Sequence, residues 1–314
     1  MAGRARAVYL ATPITFFGMT VPSMTFPSMT FPWQNRGGSL SPLKLIVFLA
    51  LFAPGFWVLF GLLHGSLGPR PLTEAIHQTG LWAVRFLLVS LAVSPLRRIL
   101  HWPRLVLVRR MIGVAAFAYA LSHLTLYAWD QAFDLPHVAS EILRRLYLTI
   151  GFSTLLLLAA LAATSTDGMI RRLGGRNWRN LHRLVYTIGV LALVHYFMQS
   201  KLNVAEPVAA AGLFLWLMSY RLLGRLRPEG AVPAWALLLL ATGAGLATAL
   251  GEAFYYALAI GADPRRVLAA DWHWPFLARP CWVVLLACLA LAGLAALRAQ
   301  RRVGSGSRLA DEPA

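Results

Sequence analysis

The chain has 314 residues, of which 58% are hydrophobic and 13% charged, and its mean hydropathy is +0.62. This composition excludes an ordinary soluble globular domain and indicates an integral membrane protein. The net charge of +17 would suggest nucleic acid binding in a soluble protein. Here the basic residues alternate between loops instead of sharing one surface, which argues against a nucleic acid partner and for contact with membrane lipid.

The first forty residues repeat the motif PSMTF around prolines and lack the apolar core and the small-residue cleavage site of a signal peptide. We predict that residues 1–40 form a disordered extension. An alternative is that this segment precedes a later start, such as Met24 or Met29.

Eight apolar windows follow, and each meets or approaches the length of about 20 residues that a helix needs to cross a hydrocarbon core. The sequence therefore predicts an all-α fold, a polytopic bundle of transmembrane helices. The predicted spans are residues 44–64, 80–95, 111–129, 147–164, 184–199, 205–223, 233–258 and 280–298.

The basic residues are distributed unequally between the two sides of this predicted bundle. If the N-terminus is cytoplasmic, 21 of the 29 Lys and Arg residues fall in cytoplasmic segments, and Arg85 lies inside the second span. Loops that face the cytoplasm are enriched in Lys and Arg. We therefore expect a multi-pass protein of a bacterial inner membrane with both termini in the cytoplasm.

Most of the eight histidines fall in loops or at span ends, but His123 and His195 lie deep in the third and fifth spans. At a rise of 1.5 Å per residue, His123 is about 18 Å and His195 about 17 Å from the same edge of the membrane. An imidazole at this depth is costly and normally has a partner, so each is a functional-site candidate.

Two interpretations of this pair are open. Each imidazole could hydrogen-bond a carbonyl of a neighbouring helix, or the two could face each other and ligate the axial positions of a heme iron. Small residues lie near each histidine and predict a groove for the porphyrin, although they also serve plain helix packing. These small residues are Gly113, Ala116 and Ala120 before His123 and Ala192 before His195.

His182 precedes His195 by thirteen residues, about 20 Å along a helix, which suits a second heme near the cytoplasmic face. On an ideal helix, however, the two side chains would point about 140° apart. The partner positions thirteen and fourteen residues before His123 hold Arg110 and Arg109, which cannot ligate iron. His182 is therefore a possible iron ligand, an alternative ligand, or a residue that binds the acidic group of another cofactor.

Three segments resemble the MsrQ family, the heme-binding membrane subunits of the periplasmic methionine sulfoxide reductase system. They are RRMIGVAAFAYALSHLTLY, TSTDGMIRRLGGRNWRNLHRLVY and LVHY, and the resemblance covers residues 40–225. The string W-x-x-L-H-R-L-x-Y from Trp178 to Tyr186, followed by a histidine thirteen residues after His182, is the most specific part. The family belongs to the ferric-reductase-like transmembrane superfamily, which also contains the NADPH oxidases.

The resemblance implies a six-helix, heme-binding core over residues 41–228. The apolar windows predict two additional helices over 229–300, which lie outside the family's pattern, and a cytoplasmic tail follows over 301–314. The resemblance implies heme b and FMN as cofactors and matches His123, His182 and His195 to the family's heme-associated histidines. It also implies that electrons pass from the quinone pool or a cytosolic flavin reductase to the periplasmic molybdopterin subunit MsrP. No dehydrogenase domain follows the helices, so the electron donor is expected to be a separate molecule.

Two other classes of function are compatible with the residues. A b-type cytochrome could reduce ferric iron or exchange electrons with quinone without MsrP. A transporter could relay protons through membrane histidines, but intramembrane carboxylates are nearly absent apart from Glu252, and we find no inverted repeat. The sequence shows no nucleophile or acid-base pair of its own, which is consistent with an electron relay without catalytic residues.

Overall fold

The computed structural model of the chain describes residues 15–16, 19–20, 33–34, 39–201, 203–227 and 232–310. In these residues, eight helices are long and apolar enough to cross a membrane, so the prediction of an all-α polytopic bundle is confirmed. Thr15–Phe16 and Met19–Thr20 form a short antiparallel strand pair. Most of the predicted N-terminal extension lies outside the described residues.

The eight long helices follow the order of the predicted spans. They are α1 (Pro42–Leu63), α2 (Pro71–Ile99), α3 (Val106–Asp130), α5 (Leu146–Ala163), α8 (Leu184–Gln199), α9 (Ala205–Leu226), α10 (Ala234–Ile260) and α12 (Pro280–Ala310). Four short helices connect them, and these are α4 (Leu135–Arg144), α6 (Asp167–Leu173), α7 (Gly175–Leu181) and α11 (Pro264–Ala270). The last helix extends beyond its predicted end, since its backbone remains helical to Ala310.

The second span begins nine residues earlier than hydropathy predicts, at Pro71 instead of residue 80. The extra turns contain polar residues, which lower the hydropathy of this window. Pro71 nevertheless suits the first turn of a helix, where no backbone N–H is needed. Gln78 donates a hydrogen bond to Glu74 at 2.8 Å, one turn away, which supports the helix here.

Two apolar clusters hold the bundle together, and α2 contributes to both. One cluster joins α2 to α1, α3, α5 and α8 around the fully buried residues Ala116 and Ile188. The other joins α2 to α9, α10 and α12 around Leu91, Leu237 and Val284. The C-terminal helices α10 and α12 thus pack on α9, whereas α3, α5 and α8 meet in the other cluster, and α8 also contacts α9 where Gly189 faces Phe214.

Tyr119 fixes the position of α3 against α1. Its hydroxyl group donates a hydrogen bond to the Leu51 carbonyl at 2.9 Å and accepts one from the Gly55 N–H at 2.6 Å. In a regular α-helix the Gly55 N–H would donate to the Leu51 carbonyl, so the Tyr119 hydroxyl is inserted between the two groups. Pro54, which cannot donate a hydrogen bond, lies in the same turn. Because Tyr119 precedes His123 by one turn, this contact also fixes the helix that carries His123.

Arginines of several helices meet at one end of the bundle, which we call the basic end. Arg97 and Arg98 lie in the last turn of α2, and Arg109 and Arg110 lie in the first turns of α3. Arg110 forms an ion pair at 2.7 Å with Asp167, the first residue of α6. We call the opposite end, which contains α4 and α11, the far end.

Candidate heme site

The imidazole rings of His123 on α3 and His195 on α8 lie close together inside the bundle. Their centroids are 6.3 Å apart and their planes make an angle of 83°. With a metal-nitrogen bond of about 2.0 Å, a ligating imidazole has its centroid about 3 Å from the metal. Two axial imidazoles on opposite sides of one iron therefore have centroids about 6 Å apart, which matches the observed separation.

Each imidazole is held through its Nδ1 atom by a backbone carbonyl of a neighbouring helix. His123 Nδ1 lies 2.7 Å from the Ile76 carbonyl oxygen on α2, and His195 Nδ1 lies 2.8 Å from the Tyr147 carbonyl oxygen on α5. A carbonyl only accepts, so Nδ1 carries the proton and Nε2 keeps a free lone pair. The two interpretations left open by the sequence are thus compatible, because one nitrogen bonds the carbonyl and the other is available for a metal.

Two glycines allow this close packing, and neither was identified from the sequence. A Cβ atom at Gly80 of α2 would lie 2.9 Å from Nδ1 of His123. A Cβ atom at Gly151 of α5 would lie 2.7 Å from Cε1 of His195. Each glycine lies four residues after the residue whose carbonyl bonds the imidazole. The available signal was a glycine inside an apolar helix where no turn requires one, but its partner histidine is fixed only by tertiary packing.

The predicted groove of small residues has a different role. A Cβ atom at Gly113 would lie 3.4 Å from Ser90 Oγ of α2, and Ala116 is fully buried in the cluster around α2. Ala192 is also buried in that cluster. These residues pack helix against helix, which is the alternative that the sequence left open.

An apolar cavity of about 380 Å³ lies between α3, α4 and α5 at the far end. Its wall includes Leu124 and Phe152, which follow His123 and Gly151 directly in the chain. The apolar face of α4 lines one side of it through Val138 and Ile142, which pack on Ala128. Neither His123 nor His195 is among the residues that line it.

Within the described residues, no three His, Cys, Asp or Glu side chains come together as a site for a free metal ion. This donor set fits heme better, because the porphyrin supplies four nitrogen donors and the protein needs to supply only the axial two. The two histidines thus satisfy the donor requirement of a six-coordinate heme iron.

His182 has different neighbours and lies at the other end of α8. Its ring stacks on Trp178 with centroids 4.0 Å apart, and its Nε2 lies 3.3 Å from Thr164 Oγ1. Arg109 and Arg110 lie within electrostatic range of the ring. The structure therefore brings two of the three predicted histidines together and places the third beside cations at the basic end.

The rotation argument for His182 needs a correction. We expected it to share one regular helix with His195, but α7 ends at Leu181 and α8 begins at Leu184. The residues between form hydrogen bonds to the third residue before, such as Tyr186 N–H to the Arg183 carbonyl at 3.1 Å. Such a turn is wound more tightly than an α-helix, so the angle of about 140° does not apply.

Comparisons with known proteins assign the surrounding helices to a family. Residues 79–193 match the family described as the ferric reductase like transmembrane component. The chain is 37% identical over 203 residues to the protein-methionine-sulfoxide reductase heme-binding subunit MsrQ of Azospira oryzae, which covers 64% of this chain and 87% of that protein.

Two further relatives carry the same name. The protein of Xanthomonas campestris pv. campestris is 43% identical over 199 residues, covering 61% of this chain and 91% of that protein. The protein of Rhodospirillum rubrum is 40% identical over 194 residues, covering 61% of this chain and 93% of that protein. A comparison with solved structures gave no match.

Proposed function

Because the chain belongs to the MsrQ family of protein-methionine-sulfoxide reductase heme-binding subunits, we propose that it is the membrane subunit that carries electrons to a periplasmic reductase. In this proposal His123 and His195 are the axial ligands of one heme b. Electrons leave the heme for the molybdopterin subunit MsrP, which reduces methionine sulfoxide in oxidised periplasmic proteins.

One observation carries this proposal, the separation of 6.3 Å between the two imidazole centroids. It is supported by the Nδ1 hydrogen bonds to Ile76 and Tyr147, which fix both rings and leave both Nε2 atoms free. The site as a whole suits a group that is held from both sides.

Heme, when bound, supplies a carrier that accepts and releases one electron at a time. The residues of the chain hold it, fix the tautomer of both ligands and surround it with apolar helices that limit the access of water. Reduction of one methionine sulfoxide to methionine and water consumes two electrons and two protons. The subunit must therefore deliver two electrons in succession, and the reductase binds the substrate.

We propose that the basic end faces the cytoplasm of a bacterial inner membrane, as the positive-inside rule favours. The histidine pair is then nearer the periplasmic face, which suits electron release on that side. The electron donor is a quinol of the membrane or a cytosolic flavin reductase. FMN stays a prediction from the family resemblance alone, and so does any heme contact of His182.

The proposal is tested by the reoxidation of the heme in membranes that contain the full chain. After reduction, addition of MsrP together with methionine sulfoxide should accelerate the return of the ferric spectrum. MsrP without methionine sulfoxide serves as the control, because it can accept only a limited number of electrons. Equal reoxidation rates in both samples would contradict the assignment.

The alternative is a b-type cytochrome that reduces ferric iron or exchanges electrons with quinone without MsrP. The match of residues 79–193 to the ferric reductase like transmembrane component supports this alternative. Supplying a ferric chelate or an oxidised quinone in place of MsrP distinguishes the two functions. Acceleration by the chelate or quinone alone would support the alternative.

A further inference from the structure

Arg85 is a charged residue at the middle of a membrane-spanning helix. It lies fourteen residues after the first residue of α2, Pro71, and fourteen residues before the last, Ile99. It is therefore about 21 Å from either end of the helix. A charge at this depth is costly, and such residues normally face a partner or a polar cavity inside the protein.

The contacts of Arg85 leave its hydrogen-bonding capacity unused. Its Nη2 atom lies 3.6 Å from Glu206 Oε1, and its guanidinium carbon lies 4.8 Å from the centroid of the Trp82 ring. A guanidinium has five N–H donors, and in the described part of the chain its recorded polar contact is the ion pair of Nη2 with Glu206. Its side chain is 42% exposed. The group therefore has room and donors for a further anionic partner.

Glu206 links Arg85 to the residue next to His195. Glu206 accepts a hydrogen bond of 2.6 Å from the hydroxyl group of Tyr196, the residue that follows His195. On its own helix, Arg85 follows Gly80, which packs directly on His123, by five residues. Arg85 is thus linked through Glu206 and Tyr196 to the surroundings of His195, and it lies about 7.5 Å along α2 from the glycine that packs on His123.

We propose that Arg85 binds a propionate of the heme and that Glu206, held by Tyr196, orients the guanidinium. This inference rests on the proposed heme site. Heme b carries two propionates, and a carboxylate in a membrane interior needs a cation and hydrogen bonds. A guanidinium offers both, because its paired donors match the two oxygens of a carboxylate.

The sequence of the surrounding helices singles out this residue. The helices that contact or carry the two histidines are α2, α3, α5 and α8. Their basic residues other than Arg85 are Arg97, Arg98, Arg109 and Arg110, all at the basic end. Of the Lys and Arg residues in these four helices, Arg85 alone lies away from the basic end.

The first test compares the reduction of heme in membranes containing Arg85→Gln or Glu206→Gln. Removal of a cation beside the heme stabilises the ferric state, so we expect Arg85→Gln to lower the ferrous-to-ferric ratio at a fixed potential about tenfold, equivalent to about 59 mV for one electron. Removal of the Glu206 charge should change the ratio in the opposite direction. A purely structural role for the pair would change both variants in the same direction, which would overturn the proposal.

Arg144→Gln is the matched control, because Arg144 is an exposed arginine at the far end and its removal should leave the ratio within about twofold of wild type. If Arg85→Gln does not retain heme, Arg85→Lys decides the question, since it keeps the charge. Heme retention in a folded Lys variant supports the proposal, and a folded Lys variant without heme contradicts it.

A second measurement identifies the propionate itself. Heme labelled with ¹³C at the propionate carboxyls is incorporated into wild type and variants, and redox difference infrared spectra are recorded. We expect the labelled carboxylate bands to shift in Arg85→Gln and to remain unshifted in Arg144→Gln. Unshifted bands in Arg85→Gln, with normal wild-type heme, would overturn this inference and leave the proposed function intact. Absence of heme from the wild type would instead refute the site on which both depend.

Discussion

Gly151 lies so close to His195 that a Cβ atom on the glycine would be 2.7 Å from Cε1 of the ring. This contact lets α5 approach α8 closely enough for the Tyr147 carbonyl to hold His195 Nδ1 at 2.8 Å. The orientation of the proposed ligand therefore depends on the absence of a side chain on the opposing helix.

Gly151→Ala should displace the His195 ring and weaken its bond to the iron. We expect loss or strong reduction of low-spin heme in the absorption spectrum, because an axial ligand moved from its position leaves the iron incompletely coordinated. Gly243→Ala is the matched control, because a Cβ atom there would have no described atom within 4 Å. Equal low-spin heme content in the two variants would show that this close contact does not position the ligand.

His182→Ala should leave one bis-histidine heme in place. His182 lies at the opposite end of α8 from His195 and contacts Trp178 and Thr164 instead of the pair. We therefore expect the low-spin spectrum to persist, with any change confined to the rate of heme reduction from the basic end. Complete loss of heme from a folded His182→Ala protein would require a different ligand assignment.

The C-terminal helices should be dispensable for heme binding. The histidine pair is held by α2, α3, α5 and α8, whereas α10 and α12 pack on α9. A chain that ends at Arg227 should therefore retain the low-spin spectrum, although exposure of the α9 surface should lower its thermal stability. Loss of heme from a truncated chain that still inserts in the membrane would show that the last two helices belong to the heme-binding unit.

Asp271 gives the far end a pH-dependent stability. Burial raises the pKa of its carboxyl group, while Arg279, whose Nε lies 3.4 Å from Asp271 Oδ1, opposes this shift. A group with a raised pKa in the folded state contributes most stability below its unfolded pKa of about 3.9 and loses it as the pH rises through the folded value. Arg279 also pairs with Glu252 at 3.5 Å, so the two carboxylates share one cation.

We therefore expect wild type to gain thermal stability relative to Asp271→Asn at low pH. The difference between their melting temperatures, wild type minus variant, should increase as the pH is lowered from neutral toward the unfolded pKa. Thermal unfolding of the detergent-solubilised protein measures this difference. The Asn variant is the natural reference, because it keeps the shape of the side chain and does not titrate. A difference that is constant with pH, or that increases toward alkaline pH, would contradict the sign of the shift.

Hydropathy was sufficient to predict the eight membrane helices, because each exceeds or approaches the thickness of the hydrocarbon core. The start of α2 was missed because Glu74 and Gln78 make its first turns polar. Depth along the helices was enough to select His123 and His195 as a pair. Rotation and lateral contact are set by packing between helices, so Gly80, Gly151 and the partner of Arg85 could not be deduced from one sequence.

The ferric electron paramagnetic resonance spectrum of the purified protein tests the assignment of His123 and His195 most directly. The two ring planes are 83° apart, so we expect a highly anisotropic low-spin signal, as perpendicular axial imidazoles produce. His123→Ala and His195→Ala should each abolish this signal, while His137→Ala, a change at an exposed position on α4, should preserve it. Persistence of the wild-type low-spin signal in both His123→Ala and His195→Ala would contradict the account.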